Sequence, residues 1–130
     1  KTIPLMIKEK EGSIVNISSI AGILGMKNRF SYSVTKSALL GFTRSISADY
    51  AEYRIRSNCV CPGYINTPLT EKMLNSLSKK DYQALVAKHP LGIGKELYVA
   101  EAIKFLLSEK SKWITGANIP VDGGYSLGRD

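Results

Sequence analysis

Short apolar runs alternate with amphipathic segments along this chain. The runs GSIVNIS at 12–18 and IRSNCVCPG at 55–63 are bounded by glycine or proline, which predicts two buried strands. A third short strand, ANIPVDGG at 117–124, is predicted after a turn around 113–116. The segment 18–28, which follows the first strand, is rich in small residues and is interpreted as a loop.

The longest helical pattern covers about 31–53, where apolar residues recur at helical spacing. These apolar positions are Val34, Ala38, Leu39, Phe42, Ile46 and Tyr50. Shorter helices are predicted at 1–10, 67–78, 79–90 and 96–109. Strands that alternate with helices indicate an α/β fold, with a parallel sheet of about three strands joined by right-handed crossovers.

The composition is that of an ordinary globular domain. Of the 130 residues, 44% are hydrophobic and 22% are charged. No apolar run approaches the ~18 residues that a membrane span requires. The net charge of +7 would permit nucleic-acid binding, but the basic residues are scattered along the chain. We therefore expect no nucleic-acid partner and no membrane attachment.

The two cysteines, Cys59 and Cys61, stand two positions apart in the second predicted strand. There they point to the same face, in a geometry poorly suited to a disulfide. Together with the single histidine, His89, they supply too few ligands for a zinc site. We interpret them as buried thiols in a reducing compartment, which favours a cytoplasmic protein without a bound metal.

Tyr32 and Lys36 stand four residues apart near the start of the long predicted helix, so their side chains share one face. A cation beside a phenol stabilises the phenolate, and such a phenol can act as a general acid or base. Ser19 follows the first strand, at the edge where ligands of parallel sheets gather. The three residues suit proton transfer coupled to reduction of a carbonyl or oxidation of an alcohol.

Two other chemistries fit the sequence less well. SVTK at 33–36 and SLSK at 76–79 match the S-x-x-K of penicillin-binding enzymes, but the accompanying S-D-N and K-T-G motifs do not occur. The GIG at 92–94 lacks the third glycine of a dinucleotide-binding turn and follows no predicted strand. Taken alone, the sequence therefore offers no phosphate-binding loop.

Three segments together resemble the short-chain dehydrogenase/reductase family. SIVNISSIAG followed by YSVTK places Ser19 thirteen residues before Tyr32, which is similar to the family's S…Y-x-x-x-K pattern. IRSNCVCPGYINTPL resembles its N-x-V-x-P-G-x-[IV]-x-T segment, and AEAIKFLLSEKSKWITGANIPVDGGYS resembles its last helix, last strand and D-G-G turn. The likeness covers nearly the whole chain and implies the C-terminal half of a Rossmann-like, doubly wound parallel sheet.

The resemblance implies an NAD(P)-dependent oxidoreductase with a role for each matching residue. Tyr32 would be the catalytic acid/base, Lys36 would bind the nicotinamide ribose, and Ser19 would orient the substrate oxygen. The residues that line the nicotinamide would be Pro62, Gly63, Ile65 and Thr67. The family also implies NAD or NADP as the cofactor, a small alcohol or carbonyl substrate, and assembly into homodimers or homotetramers.

The chain departs from the family in its length. Family members are considerably longer, and their glycine-rich cofactor turn and a catalytic asparagine should precede Lys1. We therefore expect residues 1–130 to form a single incomplete domain, the catalytic half, without the N-terminal dinucleotide-binding half and without activity on its own. The alternative hypothesis is a non-catalytic fragment that acts only through association with partner chains.

The substrate stays open at this stage. Arg29, three residues before Tyr32, resembles the 3-hydroxybutyrate dehydrogenase-like branch of the family, in which a basic residue there can meet a carboxylate. A surface arginine at the entry to the helix is the alternative interpretation. The 3-oxoacyl-carrier-protein reductase-like branch shares most of the same motifs, and the choice between NAD and NADP is equally open.

Overall fold

The computed structural model describes residues 1–128 as alternating strands and helices. The helices are α1 (Thr2–Glu9), α2 (Phe30–Tyr50), α3 (Pro68–Ser76), α4 (Lys79–Ala87) and α5 (Glu96–Leu107). The strands are β1 (Gly12–Ile17), β2 (Ile55–Pro62), β3 (Ile65–Asn66), β4 (Gly94–Lys95) and β5 (Asn118–Val121). No helix in this range combines the length and the hydropathy that crossing a membrane requires.

The main sheet of the described residues is parallel, with three strands in the order β1-β2-β5. Ile17 at the end of β1 lies opposite Val60, and Pro62 at the end of β2 lies opposite Val121. Because all three strands run the same way, their carboxyl ends meet at one edge of the sheet, which we call the carboxyl edge. The predicted α/β fold with a parallel sheet of about three strands is confirmed.

Three local features differ from the sequence prediction. The predicted loop after β1 contains a turn of 3-10 helix at Ile20–Gly22. β3 and β4 form a second parallel ladder of two residues each, which is too short to show any alternation of side chains. The strand predicted at 117–124 ends at Val121, because Gly123 and Gly124 adopt left-handed φ angles of 61° and 87° that end the extended backbone.

Helix α2 buries a narrower face than the apolar pattern suggested. Its buried residues are Leu40, Thr43, Ile46 and Ser47. Two of the apolar positions that predicted the helix, Val34 and Phe42, are instead 55% and 54% exposed, and Phe30 is 84% exposed. The helix therefore carries an exposed apolar stripe, formed by Phe30, Val34 and Phe42, beside the face that packs on the sheet.

The polar side chains buried along β2 form hydrogen bonds that fix the strand in place. Asn58, which is fully buried, donates to the Ile114 carbonyl at 2.9 Å and accepts from the Ala117 N–H at 3.1 Å. Ser47 of α2 donates to the Ser57 carbonyl at 2.8 Å. Since buried polar groups are costly without partners, these bonds lock β2 between α2 and the loop that leads to β5.

Gly63, at the point where the chain leaves β2, packs directly on the backbone of Asp122. A Cβ atom at Gly63 would stand 2.8 Å from the Asp122 Cα, well inside the distance at which carbon atoms attract. We therefore expect Gly63→Ala to lower the free energy of unfolding of the full-length protein by about 1–3 kcal/mol, measured by urea denaturation.

Gly41→Ala is the matched control for this substitution. Gly41 lies inside α2, and a Cβ atom there meets nothing within 4 Å. Because alanine is the better helix former, this variant should raise the free energy of unfolding by up to about 1 kcal/mol. A Gly63→Ala protein as stable as the wild type would contradict the close approach described here.

Candidate active site

Ser19 lies directly beyond β1, where it caps the 3-10 turn at Ile20–Gly22. Its Oγ accepts a hydrogen bond from the Ala21 N–H at 3.1 Å. The preceding residue is fixed to the neighbouring strand, because the Ser18 N–H donates to the Val60 carbonyl at 2.8 Å. The Ser19 oxygen is thereby oriented, and its hydroxyl hydrogen finds no acceptor in the described part of the chain.

The Lys36 side chain reaches from α2 to the same edge of the sheet. Its Nζ donates to the Ile17 carbonyl at 3.0 Å and lies 5.7 Å from the centre of the Tyr32 ring. An ammonium group carries three hydrogens, so the bond to Ile17 leaves two for other acceptors. The two side chains that share a helical face in the sequence therefore also lie together in space.

Tyr32 and Arg29 stand at the N-terminal end of α2. Arg29 is the N-cap residue of the helix and is exposed, while Tyr32 is 43% exposed. Among residues 1–128, neither the phenol nor the guanidinium has a hydrogen-bond partner or an ion pair. Both groups are therefore accessible to a ligand that approaches the start of the helix.

Three hydrogen bonds attach the N-terminal half of α2 to the end of β1 and to the 3-10 turn that follows it. Besides the bond from Lys36 to Ile17, the Ser18 Oγ donates to the Lys36 carbonyl at 2.8 Å, and the Ser37 Oγ donates to the Gly22 carbonyl at 2.9 Å. Gly22 makes this approach possible, since a Cβ atom there would lie 2.5 Å from the Ser18 Oγ. The attachment holds the segment that contains Ser19 against the N-terminal half of α2.

The remaining predicted cofactor residues follow β2. Pro62 ends that strand at the carboxyl edge, and the Gly63 N–H donates to the Val121 carbonyl at 3.0 Å. Ile65 lies farther along, in β3, where it pairs with Gly94 of β4. Pro62 therefore lies on β2, the neighbour of the strand β1 that leads to Ser19. Ile65 belongs to the smaller sheet.

Thr67 is the N-cap residue of α3. Its Oγ1 accepts the Thr70 N–H at 3.2 Å, and the Thr70 Oγ1 accepts the Thr67 N–H at 3.0 Å. Such a reciprocal capping box fixes the first turn of a helix. The Thr67 hydroxyl is therefore already engaged in holding the junction between the segment 62–67 and α3.

His89 supports the segment 62–67, although no sequence pattern connects the two. The residue is 3% exposed, and its Nε2 accepts the Tyr64 N–H at 3.3 Å. Twenty-five positions separate the two residues, and no spacing rule links residues so far apart. The sequence shows only that the single histidine stands next to Pro90, at the end of a predicted helix.

Asp122 shapes the turn after β5 that packs against Gly63. Its carboxylate accepts the N–H groups of Gly124 and Ser126 at 3.0 and 2.8 Å. Burial alone would raise the pKa of Asp122, but the hydrogen bonds from Ser126 and Gly124 outweigh burial and lower the pKa below its ordinary value. The carboxylate is therefore ionised at neutral pH and acts as the anchor of the D-G-G turn.

Cys59 and Cys61 lie in the interior of β2. Both are free thiols with no exposed surface. Burial, and after it the neighbouring Cys59, raises the pKa of Cys61 to about 11. The interpretation of the pair as buried thiols is confirmed.

Comparisons with known proteins match this chain along nearly its whole length. The family model described as enoyl-(acyl carrier protein) reductase matches residues 1–126. A 3-oxoacyl-[acyl-carrier-protein] reductase of Thermotoga maritima is 42% identical over 123 residues, which are 94% of this chain and 48% of that protein. Dehydrogenase/reductase SDR family member 6 of Rattus norvegicus is 37% identical over an alignment of 129 positions, which covers 96% of this chain and 53% of that protein.

Solved structures extend the same match to three dimensions. Levodione reductase superposes with a TM-score of 0.91 at 30% identity, over 99% of this chain and 52% of that one. ElxO with NADP bound superposes with a TM-score of 0.88 at 36% identity, over 97% of this chain and 51% of that one. The chain therefore spans about half the length of the curated relatives and solved structures that it matches.

The burial of the two thiols predicts their reactivity. A thiol with a pKa of about 11 carries almost no thiolate at pH 7.5, and the thiolate is the reactive form. We expect Cys59 and Cys61 of the native full-length protein to resist iodoacetamide at pH 7.5 and to react fully in urea, as measured by peptide mass spectrometry. Rapid labelling of Cys61 in the native protein would show that β2 is not buried as described.

Proposed function

This chain belongs to the short-chain dehydrogenase/reductase family, and we propose that it supplies the catalytic half of an NAD(P)-dependent oxidoreductase. The proposed reaction interconverts a secondary alcohol and a carbonyl compound. The observation that carries the proposal is the pairing of the Tyr32 phenol with the Lys36 ammonium at the carboxyl edge of the sheet. Relatives named as reductases and dehydrogenases support the same class of reaction.

The hydrogen-bond donors at this edge fit a nicotinamide dinucleotide. After its bond to Ile17, the Lys36 ammonium has two hydrogens for acceptors such as ribose hydroxyls. The Tyr32 hydroxyl is accessible and has no partner in the described chain, so it can contact the same sugar and a substrate. We assign Lys36 and Tyr32 to this binding role, and the NADP-bound structure of a relative supports the choice of cofactor class.

Proton transfer in this mechanism belongs to Tyr32. A nicotinamide held by Lys36 and Tyr32 would supply the hydride in the reducing direction and accept it in the oxidising direction. Ser19 donates a hydrogen bond to the substrate oxygen, since its own oxygen is already occupied by the Ala21 N–H. Tyr32 gives its proton to that oxygen, and the adjacent Lys36 charge stabilises the phenolate that remains. In the oxidising direction, Tyr32 takes the proton back.

We assign the segment 62–67 to the wall that faces the nicotinamide. Pro62 ends its strand at the carboxyl edge, beside the strand that leads to Ser19. The close packing of Gly63 on Asp122 and the pairing of Ile65 with Gly94 keep this part of the chain in a defined conformation. The capping role of the Thr67 hydroxyl suits a residue that positions the wall.

Assembly into a homodimer or homotetramer is part of the same proposal. The exposed apolar stripe of Phe30, Val34 and Phe42 supports it, since exposed apolar patches commonly mark contact surfaces. A cytoplasmic location stays a prediction from the sequence.

The alternative of a non-catalytic fragment is favoured by one observation, the match to only about half of each relative. The following experiment separates the catalytic proposal from this alternative.

Replacement of Tyr32 by phenylalanine removes the proposed acid/base and keeps the ring. We expect kcat of the full-length protein for a carbonyl substrate to fall by roughly 10²- to 10⁴-fold, while cofactor binding changes much less. The measurement is nicotinamide absorbance at 340 nm, with NADH and NADPH tested in parallel.

Tyr50→Phe is the control for this loss. Tyr50 lies on the same helix, about five turns farther along, and is removed from the carboxyl edge. This variant should keep wild-type kcat. Unchanged turnover in Tyr32→Phe would refute the assigned acid/base, and a wild-type protein without nicotinamide-dependent activity would favour the non-catalytic alternative.

Arg29 is proposed to contact a carboxylate on the substrate. Its exposed side chain at the N-cap of α2 stands three residues before Tyr32, close to the proposed reaction centre. We expect Arg29→Gln to raise KM for a 3-hydroxy acid roughly tenfold without raising KM for the uncharged ethyl ester of the same acid. Lys27→Gln, which removes a neighbouring exposed charge, should leave both KM values unchanged. Equal effects of Arg29→Gln on the acid and the ester would exclude the contact.

A further inference from the structure

His89 joins three segments that are far apart in the sequence. It follows the end of α4 and is 3% exposed. Its Nδ1 lies 2.9 Å from the Leu85 carbonyl, and its Nε2 lies 3.3 Å from the Tyr64 nitrogen. The Tyr125 ring, from the turn after β5, lies 4.8 Å away between ring centroids.

The two polar contacts define the protonation state of the imidazole. The Tyr64 N–H is a donor, so Nε2 must present a lone pair. The Leu85 carbonyl is an acceptor, so Nδ1 must carry the hydrogen. Only the neutral imidazole with its hydrogen on Nδ1 satisfies both contacts at once, because the charged form is a donor at both nitrogens.

The Tyr64 peptide that His89 contacts lies in the middle of the segment 62–67. The same peptide is held on its other side, where the Gly94 N–H donates to the Tyr64 carbonyl at 2.9 Å. His89 and Gly94 therefore bond to the N–H and to the carbonyl of Tyr64, respectively. Loss of the His89 contact would leave a backbone N–H in a partly buried position without its acceptor, which is unfavourable.

The titratable and charged groups near His89 come from several elements. Asp122, in the turn after β5, interacts electrostatically with His89. The rings of Tyr64 and Tyr125 lie 5.6 and 4.8 Å from the imidazole between ring centroids. The neighbouring Lys88 is exposed.

We propose that His89 is a positioning residue, which in its neutral form holds the Tyr64 N–H and so keeps the segment 62–67 in the conformation that binds the nicotinamide. A side chain without an acceptor at this position would release the Tyr64 N–H and lower the affinity for the dinucleotide.

The inference rests on the proposed function and can be tested on the full-length protein in two independent ways. The first measurement follows the imidazole nitrogens of His89 and the amide of Tyr64 by ¹⁵N NMR at pH 8. We expect an unprotonated Nε2 and a protonated Nδ1, with a Tyr64 amide signal that shifts in His89→Phe. This measurement needs no dinucleotide, so it decides the state of the contact even if the proposed activity is wrong.

The second measurement is the dissociation constant for NADH and for NADPH, followed by nicotinamide fluorescence at pH 8. For whichever dinucleotide binds, we expect His89→Phe, which has no acceptor for the Tyr64 N–H, to bind about fivefold more weakly than the wild type, as the loss of one net hydrogen bond implies. His89→Gln offers a side-chain carbonyl oxygen to the Tyr64 N–H and should keep most of the affinity.

Lys88→Gln is the control, since it alters a neighbouring charge without touching the contact and should bind the dinucleotide as the wild type does. The proposal is wrong if His89→Phe binds as tightly as His89→Gln, or if Nε2 is protonated at pH 8. If neither dinucleotide binds to the wild type at any pH, the proposed function itself fails.

Discussion

The candidate site depends on how the first half of α2 is attached to the end of β1. Lys36 takes part in this attachment twice, since its side chain donates to the Ile17 carbonyl and its own carbonyl accepts from Ser18. The strand carbonyl gains a partner where the ladder ends, and the ammonium group is held beside the Tyr32 ring. Gly22 is required for this approach because any larger residue would meet Ser18. The same contacts therefore give the Ile17 carbonyl a hydrogen-bond partner and hold the Lys36 ammonium beside the Tyr32 ring.

A second set of contacts organises the segment 62–67 beside that edge. Val121, His89 and Gly94 each bond to its backbone, and Thr70 completes a cap at its far end. Every one of these partners lies after the segment in the chain. The wall that we assign to the nicotinamide is thus set by residues that follow it in the chain, while Ser19 and Tyr32 are set by the elements before it. The two parts of the proposed site meet only because β1 and β2 are adjacent and parallel.

The sequence could predict what depends on local geometry. Helical spacing alone pairs Tyr32 with Lys36, and an apolar run bounded by Pro62 and Gly63 defines β2. Contacts between residues far apart in the sequence could not be predicted, as the bond from Tyr64 to His89 shows. The ladder of β3 with β4 could not be predicted either, because two residues are too few to show a pattern. Periodicity predicted α2 correctly but could not tell which apolar stripe faces the sheet, because that choice depends on packing against β2.

We propose that the carboxyl edge near Ser19 binds a nicotinamide dinucleotide between the Tyr32–Lys36 pair and the segment 62–67. A crystal structure of the full-length protein with NADH or NADPH bound would locate the dinucleotide. We expect the nicotinamide ribose hydroxyls to contact the Lys36 ammonium and the Tyr32 hydroxyl, with Lys36 still bonded to Ile17. A dinucleotide bound away from this edge, with Lys36 and Tyr32 both facing solvent, would contradict it.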